Sequence, residues 1–288
     1  MILQITGTTT LLGLIGTPVA HSRSPQMYNY CFQKYGLDYA YLAFDITPEQ
    51  IGSAVNAIRT LHMRGANVTM PCQAAVIPFL DRITPAAKAI GAVNTIVNDN
   101  GVLTGHNTDG LGYTQNLRRH GADVKGRRIV LLGGGGAGSA ICVQAALDGA
   151  AEILVFNRKD SFWPRVEAAM QAAREAAPQC RITLHDLDDR EGLQKAIAQA
   201  DILSNATRVG MTPLENETNV DPAWFRPDLV VTDVVYAPPR TKMLREAEQA
   251  GCRTCDGLGM LLCQGAEAFR LYSGKEMPID EIRALLYA

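Results

Sequence analysis

The segment from Gly133 to Gly138, Gly-Gly-Gly-Gly-Ala-Gly, has the residue types and spacing of a dinucleotide-binding loop. Glycines permit a tight turn and a close approach of the backbone to a pyrophosphate at the N-terminus of the following helix. A strand is predicted before the loop at 128–132, a helix after it from about Ser139, and a second strand at 152–156. This context argues against a glycine turn without a ligand. The residues predicted to hold the cofactor here are Gly133, Gly135, Gly136, Ala137 and Gly138.

The residues that follow the second strand predict which dinucleotide binds. An NAD-binding loop usually has an acidic residue at the tip of that strand, where it holds the ribose hydroxyls. Asn157 stands at the tip instead, and Arg158 has the chemistry to stack on adenine or to meet a 2′-phosphate. Asp160 is close enough to bind the ribose hydroxyls and would repel a phosphate. We therefore predict NAD as the cofactor, with NADP as the alternative, and Asn157, Arg158 and Asp160 among its contacts.

Three short polar segments lie between apolar stretches in the first half of the chain. They are His21–Pro25, Gly65–Gln73 and Gly105–Gly110. Together with the glycine loop they resemble the motifs of the shikimate/quinate dehydrogenase family. The resemblance extends from about Leu11 to Leu286, and the segment Glu215–Glu217 resembles the quinate/shikimate branch more than the strictly shikimate-specific one.

The resemblance implies roles for several polar side chains. In the family the two serines of the first segment bind the substrate carboxylate, and Ser22 and Ser24 match them. Serine followed by proline also favours a helix start, so capping of that helix is the alternative role for both residues. Further positions that contact substrate in the family correspond here to Asn67, Thr69, Asn94, Asp109, Tyr236 and Gln264.

One position departs from the family pattern. In the family the second segment ends with a lysine that pairs with the aspartate of the third, and this pair handles the proton of the hydroxyl being oxidised. Here Gln73 stands at the lysine position, while Asp109 matches the aspartate. Glutamine forms hydrogen bonds but neither titrates nor carries charge, so binding is expected to survive while turnover slows. Three explanations of Gln73 remain open. It is an engineered substitution, a natural divergence towards another substrate, or the mark of a protein that binds without efficient turnover.

The resemblance implies an oxidoreductase that transfers hydride between NAD(P) and the ring 3-hydroxyl of a shikimate- or quinate-like acid. Asp109 is the expected base and Gln73 its altered partner, so activity is expected to be impaired or changed. The alternative is a dinucleotide- and polyol-acid-binding protein with negligible turnover or a different substrate.

The elements that must position these segments alternate between strands and helices. Strands are predicted at Leu11–Ile15, Tyr39–Phe44 and Gly65–Met70, and helices over Ser24–Lys34 and Pro48–Leu61. Such alternation predicts a parallel sheet covered by helices.

A hairpin and a second run of strands follow. Asn100-Gly101 between two alternating stretches predicts a tight β-turn. Beyond the glycine loop, strands are predicted at Ile202–Ser204, Leu229–Asp233 and Arg253–Cys255, and a helix over Gly259–Tyr272. The predicted fold class is α/β with two domains. Residues 1–113 form a substrate-binding domain completed by helices of residues 257–288, and residues 114–256 form a Rossmann-type dinucleotide-binding domain.

Composition excludes several function classes. With a net charge of −2, a pI of about 6.2 and no long basic run, nucleic acid is not an expected partner. The sequence has no apolar run of the ~18 residues that span a membrane and no basic region at its start, so a cytoplasmic location is expected. Five scattered histidines and the Cys252–Cys255 spacing lack the partners of a metal site. The expected partner is a small cyclic acid, bound by a monomer or a homodimer.

Overall fold

The computed structural model describes residues 5–287, which form two compact units. One unit runs to Thr108 and resumes at Gly265, and the other comprises Asp109–Gln264. Each unit is built on its own six-stranded sheet.

The sheet of the first unit has the order β2-β1-β3-β5-β6-β4. Its strands are β1 (Thr10–Gly16), β2 (Tyr39–Asp45), β3 (Gly65–Val68), β4 (Arg82–Ile83), β5 (Thr95–Asp99) and β6 (Val102–His106). Strands β2, β1 and β3 are parallel, but β5 runs antiparallel to both β3 and β6. The sheet of this unit is therefore mixed: its first three strands are parallel, as the alternation of strands and helices predicts, and the predicted hairpin inserts a reversed strand.

The turn of that hairpin is confirmed as the sequence predicts it. Asn100 and Gly101 both have positive φ angles, 54° and 91°, which is the backbone that a type I′ turn requires. The side-chain oxygen of Asn98 also accepts a hydrogen bond from the Gly101 N–H at 2.7 Å. The turn thus sets the register in which β5 and β6 pair.

Helices cover the sheet of the first unit. They are α1 (Ser24–Lys34), α2 (Ile51–Thr60), α3 (Cys72–Ala75) and α4 (Pro85–Ile90), with short 3₁₀ helices at Pro48–Gln50 and Ile77–Phe79. The helix predicted from Pro48 therefore begins with a 3₁₀ turn, and the N–H of Thr47 donates to the Gln50 side-chain oxygen at 3.1 Å.

Two C-terminal helices contribute to the first unit, which resumes at Gly265. They are α10 (Gly257–Ser273), whose second half belongs to this unit, and α11 (Ile279–Tyr287). The ring of Phe269 stacks on Phe32 at 5.9 Å, and the Tyr28 hydroxyl donates to the Gly265 carbonyl at 3.1 Å. Because Phe32 and Phe269 are fully buried, this return closes the core beside α1.

The sheet of the second unit is fully parallel, with the order β12-β11-β10-β7-β8-β9. Its strands are β7 (Arg128–Leu132), β8 (Glu152–Asn157), β9 (Arg181–Asp186), β10 (Ile202–Asn205), β11 (Val230–Asp233) and β12 (Arg253–Cys255). Counted within this unit, the order reads 6-5-4-1-2-3, which is the doubly wound arrangement of dinucleotide-binding domains. The order reverses between β7 and β10, so a ligand crevice is expected at their carboxyl ends.

The helices of the second unit alternate with its strands. They are α5 (Asp109–Arg119), α6 (Gly136–Leu147), α7 (Trp163–Ala176), α8 (Arg190–Ala198), α9 (Lys242–Gln249) and the first half of α10, with a 3₁₀ helix at Pro222–Trp224. None of the helices described between residues 5 and 287 is long and apolar enough to cross a membrane.

The cysteines of the chain are buried free thiols. Burial raises the pKa of Cys255 to about 12, so this thiol stays protonated at neutral pH. The Cys252–Cys255 spacing therefore belongs to packing at β12, and within residues 5–287 no cluster of metal-ligating side chains is found.

Candidate active site

The glycine loop joins β7 to α6 and has the geometry that its sequence predicts. Gly133 has a φ of +93°, and a Cβ there would lie 2.9 Å from the Thr207 methyl group. A Cβ on Gly138 would collide with the carbonyl oxygen of Gly133. Gly135 and Gly136 are exposed, and a Cβ on either would meet no protein atom within 4 Å. The loop is thus closely packed at Gly133 and Gly138 and open in its middle, where a pyrophosphate needs space.

Asn157 supports this loop from the tip of β8. Its side-chain oxygen accepts a hydrogen bond from the Gly134 N–H at 3.0 Å, and its side-chain nitrogen donates to the Arg158 carbonyl at 2.8 Å. Both ends of the amide are therefore engaged within the protein. This geometry gives Asn157 a role in holding the loop, which the sequence alone does not reveal.

The next residues lead from β8 into α7 and are exposed. The carboxylate of Asp160 accepts a hydrogen bond from the Phe162 N–H at 2.9 Å, which fixes the turn before the helix. Lys159 lies over the Trp163 ring at 5.9 Å, and Arg158 is exposed beside it. One acidic and two basic exposed side chains thus follow the tip of β8.

The serine segment precedes α1 in the first unit. The helix begins at Ser24, and its N-cap residue is Arg23, whose side chain makes no capping hydrogen bond, so the predicted capping role is wrong for Ser24. The Ser22 hydroxyl oxygen instead accepts a hydrogen bond from the Ser24 N–H at 3.2 Å. Both serines are half-buried, and the Arg23 guanidinium between them lies 4.7 Å from the centre of the Tyr287 ring on α11. Two hydroxyls at the positive end of a helix are suited to an anionic group.

Asn67, at the end of β3, is buried in a polar network. Its side-chain oxygen accepts a hydrogen bond from the Tyr41 hydroxyl at 2.8 Å. Its side-chain nitrogen donates to the Asn94 carbonyl at 3.2 Å and to the Thr95 hydroxyl at 3.1 Å. Both amide hydrogens are therefore used internally, which leaves Asn67 able to meet a ligand only as an acceptor.

Asn94 extends the network towards Asp109. Its side-chain oxygen accepts from the Thr108 N–H at 2.9 Å, and its side-chain nitrogen donates to the Thr108 hydroxyl at 3.0 Å. Asn94 is 5% exposed and Thr108 is fully buried, so both bonds are shielded from water. They hold the residue directly before Asp109, a contact that sequence reasoning missed although the Asn-Thr-Asp segment signals it.

Thr69 follows β3 directly, and Gln73 lies on the short helix α3. The Thr69 N–H donates to the Ile15 carbonyl at 2.8 Å, and a Cβ on Gly16 would lie 2.5 Å from the Thr69 methyl group. Gln73 is half-buried, and its side-chain nitrogen donates to the Val68 carbonyl at 3.3 Å. The glutamine amide thus rests against the end of the strand that carries Asn67.

The remaining predicted residues lie in the second unit. Asp109 is the first residue of α5 and is half-buried, and Tyr236, which follows β11, is 45% exposed. Gln264 lies on α10, where its side-chain nitrogen donates to the Leu261 carbonyl at 3.0 Å. A Cβ on Gly112, one turn after Asp109, would lie 2.7 Å from the Gln264 Cβ, so α5 and α10 pack closely.

The structure therefore divides the predicted residues into two groups. The first unit carries Ser22, Ser24, Asn67, Thr69, Gln73 and Asn94. The second unit carries Asp109, Tyr236, Gln264 and the predicted cofactor residues, together with a buried carboxylate, Asp233, that sequence reasoning missed.

Models of a known family match both ends of the chain. The shikimate dehydrogenase substrate binding domain matches residues 14–96, and the shikimate 5′-dehydrogenase C-terminal domain matches residues 257–287. Shikimate dehydrogenase (NADP(+)) of Listeria monocytogenes serotype 4b is 48% identical, over 99% of this chain and 98% of that protein. The chain belongs to the shikimate dehydrogenase family.

Solved structures of the family extend the comparison to the fold. Shikimate 5-dehydrogenase from Listeria monocytogenes, in complex with shikimate and NAD, is 48% identical with a TM-score of 0.96 and covers 100% of this chain and 99% of its own. Quinate dehydrogenase from Corynebacterium glutamicum, in complex with NAD, is 31% identical with a TM-score of 0.85. The match covers 96% of this chain and 98% of that protein's chain. The family resemblance of the motifs and the two-domain α/β fold are confirmed, whereas the match of Gln73 to the family's lysine stays a prediction.

Proposed function

We propose that this chain is an NAD(P)-linked oxidoreductase that interconverts the ring 3-hydroxyl of a shikimate- or quinate-like acid and the corresponding ketone. The observation that carries the proposal is its likeness, over 100% of its length, to a shikimate dehydrogenase whose crystal contains shikimate and NAD. The polar groups of the first unit and the glycine loop of the second supply the chemistry that such a reaction needs.

The glycine loop fits a dinucleotide. The open positions at Gly135 and Gly136 leave room for a pyrophosphate against backbone N–H groups of the first turn of α6. Gly133, Ala137 and Gly138 complete the cradle, and Asn157 keeps it in place through Gly134. When bound, the dinucleotide accepts or donates the hydride.

The choice between the two dinucleotides depends on the exposed residues after β8. We infer that Asp160 favours NAD, because its carboxylate accepts hydrogen bonds from ribose hydroxyls and repels a 2′-phosphate. Arg158 beside it keeps NADP binding possible. The Listeria relative named above carries NADP(+) in its name, while the Listeria crystal contains NAD, so both dinucleotides belong in the test.

The first unit is suited to the acid. Ser22 and Ser24 present hydroxyls at the N-terminus of α1, where a carboxylate gains from the helix dipole. Thr69 and Asn94 offer further polar groups for the ring substituents, and Asn67 mainly orders its neighbours. In the second unit, Tyr236 and Gln264 are the polar side chains that we propose for substrate binding. Several donors and acceptors from separate loops are what a polyol requires.

Asp109 takes the proton of the reacting hydroxyl in this proposal. Its carboxylate follows Thr108, which Asn94 holds by two buried hydrogen bonds, so the base starts from a fixed backbone. Gln73 orients a hydroxyl by hydrogen bonding but moves no proton. Since a positioned acid or base contributes on the order of 10²–10⁴ in rate, turnover is expected to fall below that of a lysine-containing enzyme by a factor in this range.

Gln73 also supports the second candidate, a protein that binds the dinucleotide and a polyol acid without turnover. The two candidates are separated by following nucleotide reduction with shikimate or quinate in excess, beside calorimetric titration of NAD, NADP and each acid. Reduction above a heat-inactivated control supports the enzyme. Binding of both ligands without reduction supports the second candidate.

A further inference from the structure

A buried polar network lies at the carboxyl edge of the second sheet. Strands β7, β10 and β11 are neighbours, and their registers pair Leu132 with Asn205 and Asn205 with Asp233. Leu132 is followed directly by Gly133, the first glycine of the cofactor loop. Three strands thus end side by side, one in the glycine loop and two in polar residues.

Asp233 is the centre of this network. It is 3% exposed, and its carboxylate accepts hydrogen bonds from the Asn205 side-chain nitrogen at 2.9 Å, the Val235 N–H at 3.0 Å and the Thr241 hydroxyl at 2.7 Å. Burial raises the pKa of Asp233 to about 6, although the three hydrogen bonds oppose this rise. Within the described part of the chain no cation pairs with this carboxylate. Burial of an acid without a counterion is costly, and the three hydrogen bonds offset part of that cost.

Asn205 connects the carboxylate to the glycine loop. Its side-chain nitrogen also donates to the Val209 carbonyl at 3.0 Å, and its side-chain oxygen accepts from the Thr207 N–H at 3.2 Å and hydroxyl at 2.7 Å. The methyl group of Thr207 lies 2.9 Å from the place of a Cβ on Gly133. The loop after β10 is therefore pressed against the first glycine of the cofactor loop.

The same carboxylate holds the loop after β11. Its bonds to Val235 and Thr241 fix both ends of a short segment, and Tyr236 lies within that segment. The Val234 N–H also donates to the Asn205 carbonyl at 3.0 Å. One side chain thus joins the loop that packs on the cofactor glycines to the loop that carries Tyr236.

We propose that Asp233 is a positioning residue of the cofactor site, which locks the loops after β10 and β11 so that Thr207 supports Gly133 and Tyr236 keeps its place. The proposal rests on the proposed function, since it assumes a dinucleotide at the glycine loop. Loss of the Asp233 hydrogen bonds is expected to displace Gly133 and so weaken dinucleotide binding. The serine segment of the first unit is expected to be unaffected.

Three substitutions probe the network around Asp233. Thr241→Val removes one of the three hydrogen bonds to the Asp233 carboxylate with little change of shape, and Thr241→Ser keeps that bond. Asp233→Asn removes the charge. Thr232→Val is the matched control, because the buried Thr232 hydroxyl donates to Ser204 at 3.1 Å between the same two strands, β10 and β11, and takes no part in the hydrogen bonds of Asp233.

The experiment measures the dissociation constants of NAD and shikimate by calorimetry for the full chain and each variant. Thr241→Val and Asp233→Asn should raise the NAD dissociation constant by roughly three- to tenfold, the effect of one ordinary buried hydrogen bond. Because Tyr236 is itself proposed to contact the substrate, the dissociation constant of shikimate is expected to rise by a smaller factor. Thr241→Ser and Thr232→Val should leave both constants near the parent values. Hydrogen exchange should quicken at residues 206–210 and 234–240 only in the first two variants.

Two results overturn the proposal. If Thr241→Val and Asp233→Asn lower the melting temperature but leave NAD binding unchanged, the network is structural only. If Thr232→Val weakens NAD binding as much as Thr241→Val does, the effect belongs to the general stability of the sheet. A parent chain that binds neither NAD nor NADP overturns the proposed function itself, and this inference with it.

Discussion

Gln73→Lys tests the proton-transfer step more directly than any other substitution. Gln73 is half-buried on α3, and its side chain donates one long hydrogen bond, 3.3 Å, to the Val68 carbonyl. Loss of a single such bond costs at most about 1 kcal/mol, and a lysine ammonium is able to donate to the same carbonyl. The variant is therefore expected to fold and to bind both ligands.

The expected gain follows from what glutamine lacks. A titratable, positively charged group near the reacting hydroxyl contributes on the order of 10²–10⁴ in rate, which corresponds to about 3–5 kcal/mol of barrier. This stabilisation acts in the transition state rather than in the bound ground state. We therefore expect kcat for shikimate or quinate to rise by roughly 10²–10⁴ while KM changes by less than about threefold.

The assay is the initial rate of nucleotide reduction across pH, with NAD and NADP, for the parent, Gln73→Lys and Gln73→Met. Methionine matches the length of glutamine without hydrogen-bonding hydrogens, so it controls for shape. Asp109→Asn should abolish the remaining activity in both the parent and the lysine background. If Gln73→Lys is no faster than Gln73→Met although both bind NAD, the substrate pocket differs from the family's beyond this position.

Three further predictions concern single sites. Replacement of both serines, Ser22→Ala with Ser24→Ala, should weaken shikimate binding by about 2 kcal/mol, the value of two ordinary hydrogen bonds, without lowering the melting temperature. An unchanged affinity in calorimetry would place the carboxylate elsewhere. Asp160→Asn keeps an acceptor for the Phe162 N–H but loses its charge, so the ratio of the NADP to the NAD dissociation constant should fall; a constant ratio would show that Asp160 does not read the ribose. Because the pKa of Asp233 rises from 3.8 to about 6 on folding, the folded state holds its proton more tightly between these pH values. The stability that this group contributes is thus present at low pH and is lost as pH rises through about 6, by about 3 kcal/mol. Urea unfolding should show the free energy of the parent falling relative to Asp233→Asn between pH 4 and pH 7, and a difference that is independent of pH would contradict the assignment.

Local patterns predicted much of the fold. Apolar runs, the Asn100-Gly101 turn and the helix start near Ser24 are each set by a few adjacent residues, and the structure has these elements close to the predicted bounds. Strand β9 was missed although Arg181–Asp186 alternates in polarity, and the pairing of β5 with β3 was not predicted. A hairpin predicts pairing with its neighbour in sequence but not with the strand on its other side.

The candidate site likewise has features that local sequence predicts and features that it does not. Its polar segments and glycine loop were predicted because each depends on side-chain chemistry at fixed spacing. Some side chains in the site have roles that differ from those predicted from the sequence. The difference arises where their hydrogen-bond partners are distant in the chain. Ser24 is the first residue of its helix rather than its cap, and Asn157 on β8 supports Gly134 in the loop after β7.

The sequence by itself determined which backbone shapes and functional groups this protein has, since glycine turns, caps and strand periodicity depend on neighbouring residues. Only the tertiary structure decided which polar groups are buried away from water and which hydrogen-bond partners they have. Asp233 is an ordinary acid in the sequence, and it becomes a buried carboxylate with a raised pKa because β10, β11 and α9 exclude water around it. Asn94 and Thr108 likewise show no relation in the sequence. In the fold, the Thr108 N–H donates to the Asn94 side-chain oxygen at 2.9 Å. Burial and partner choice arise from residues distant in sequence, and no local pattern records them.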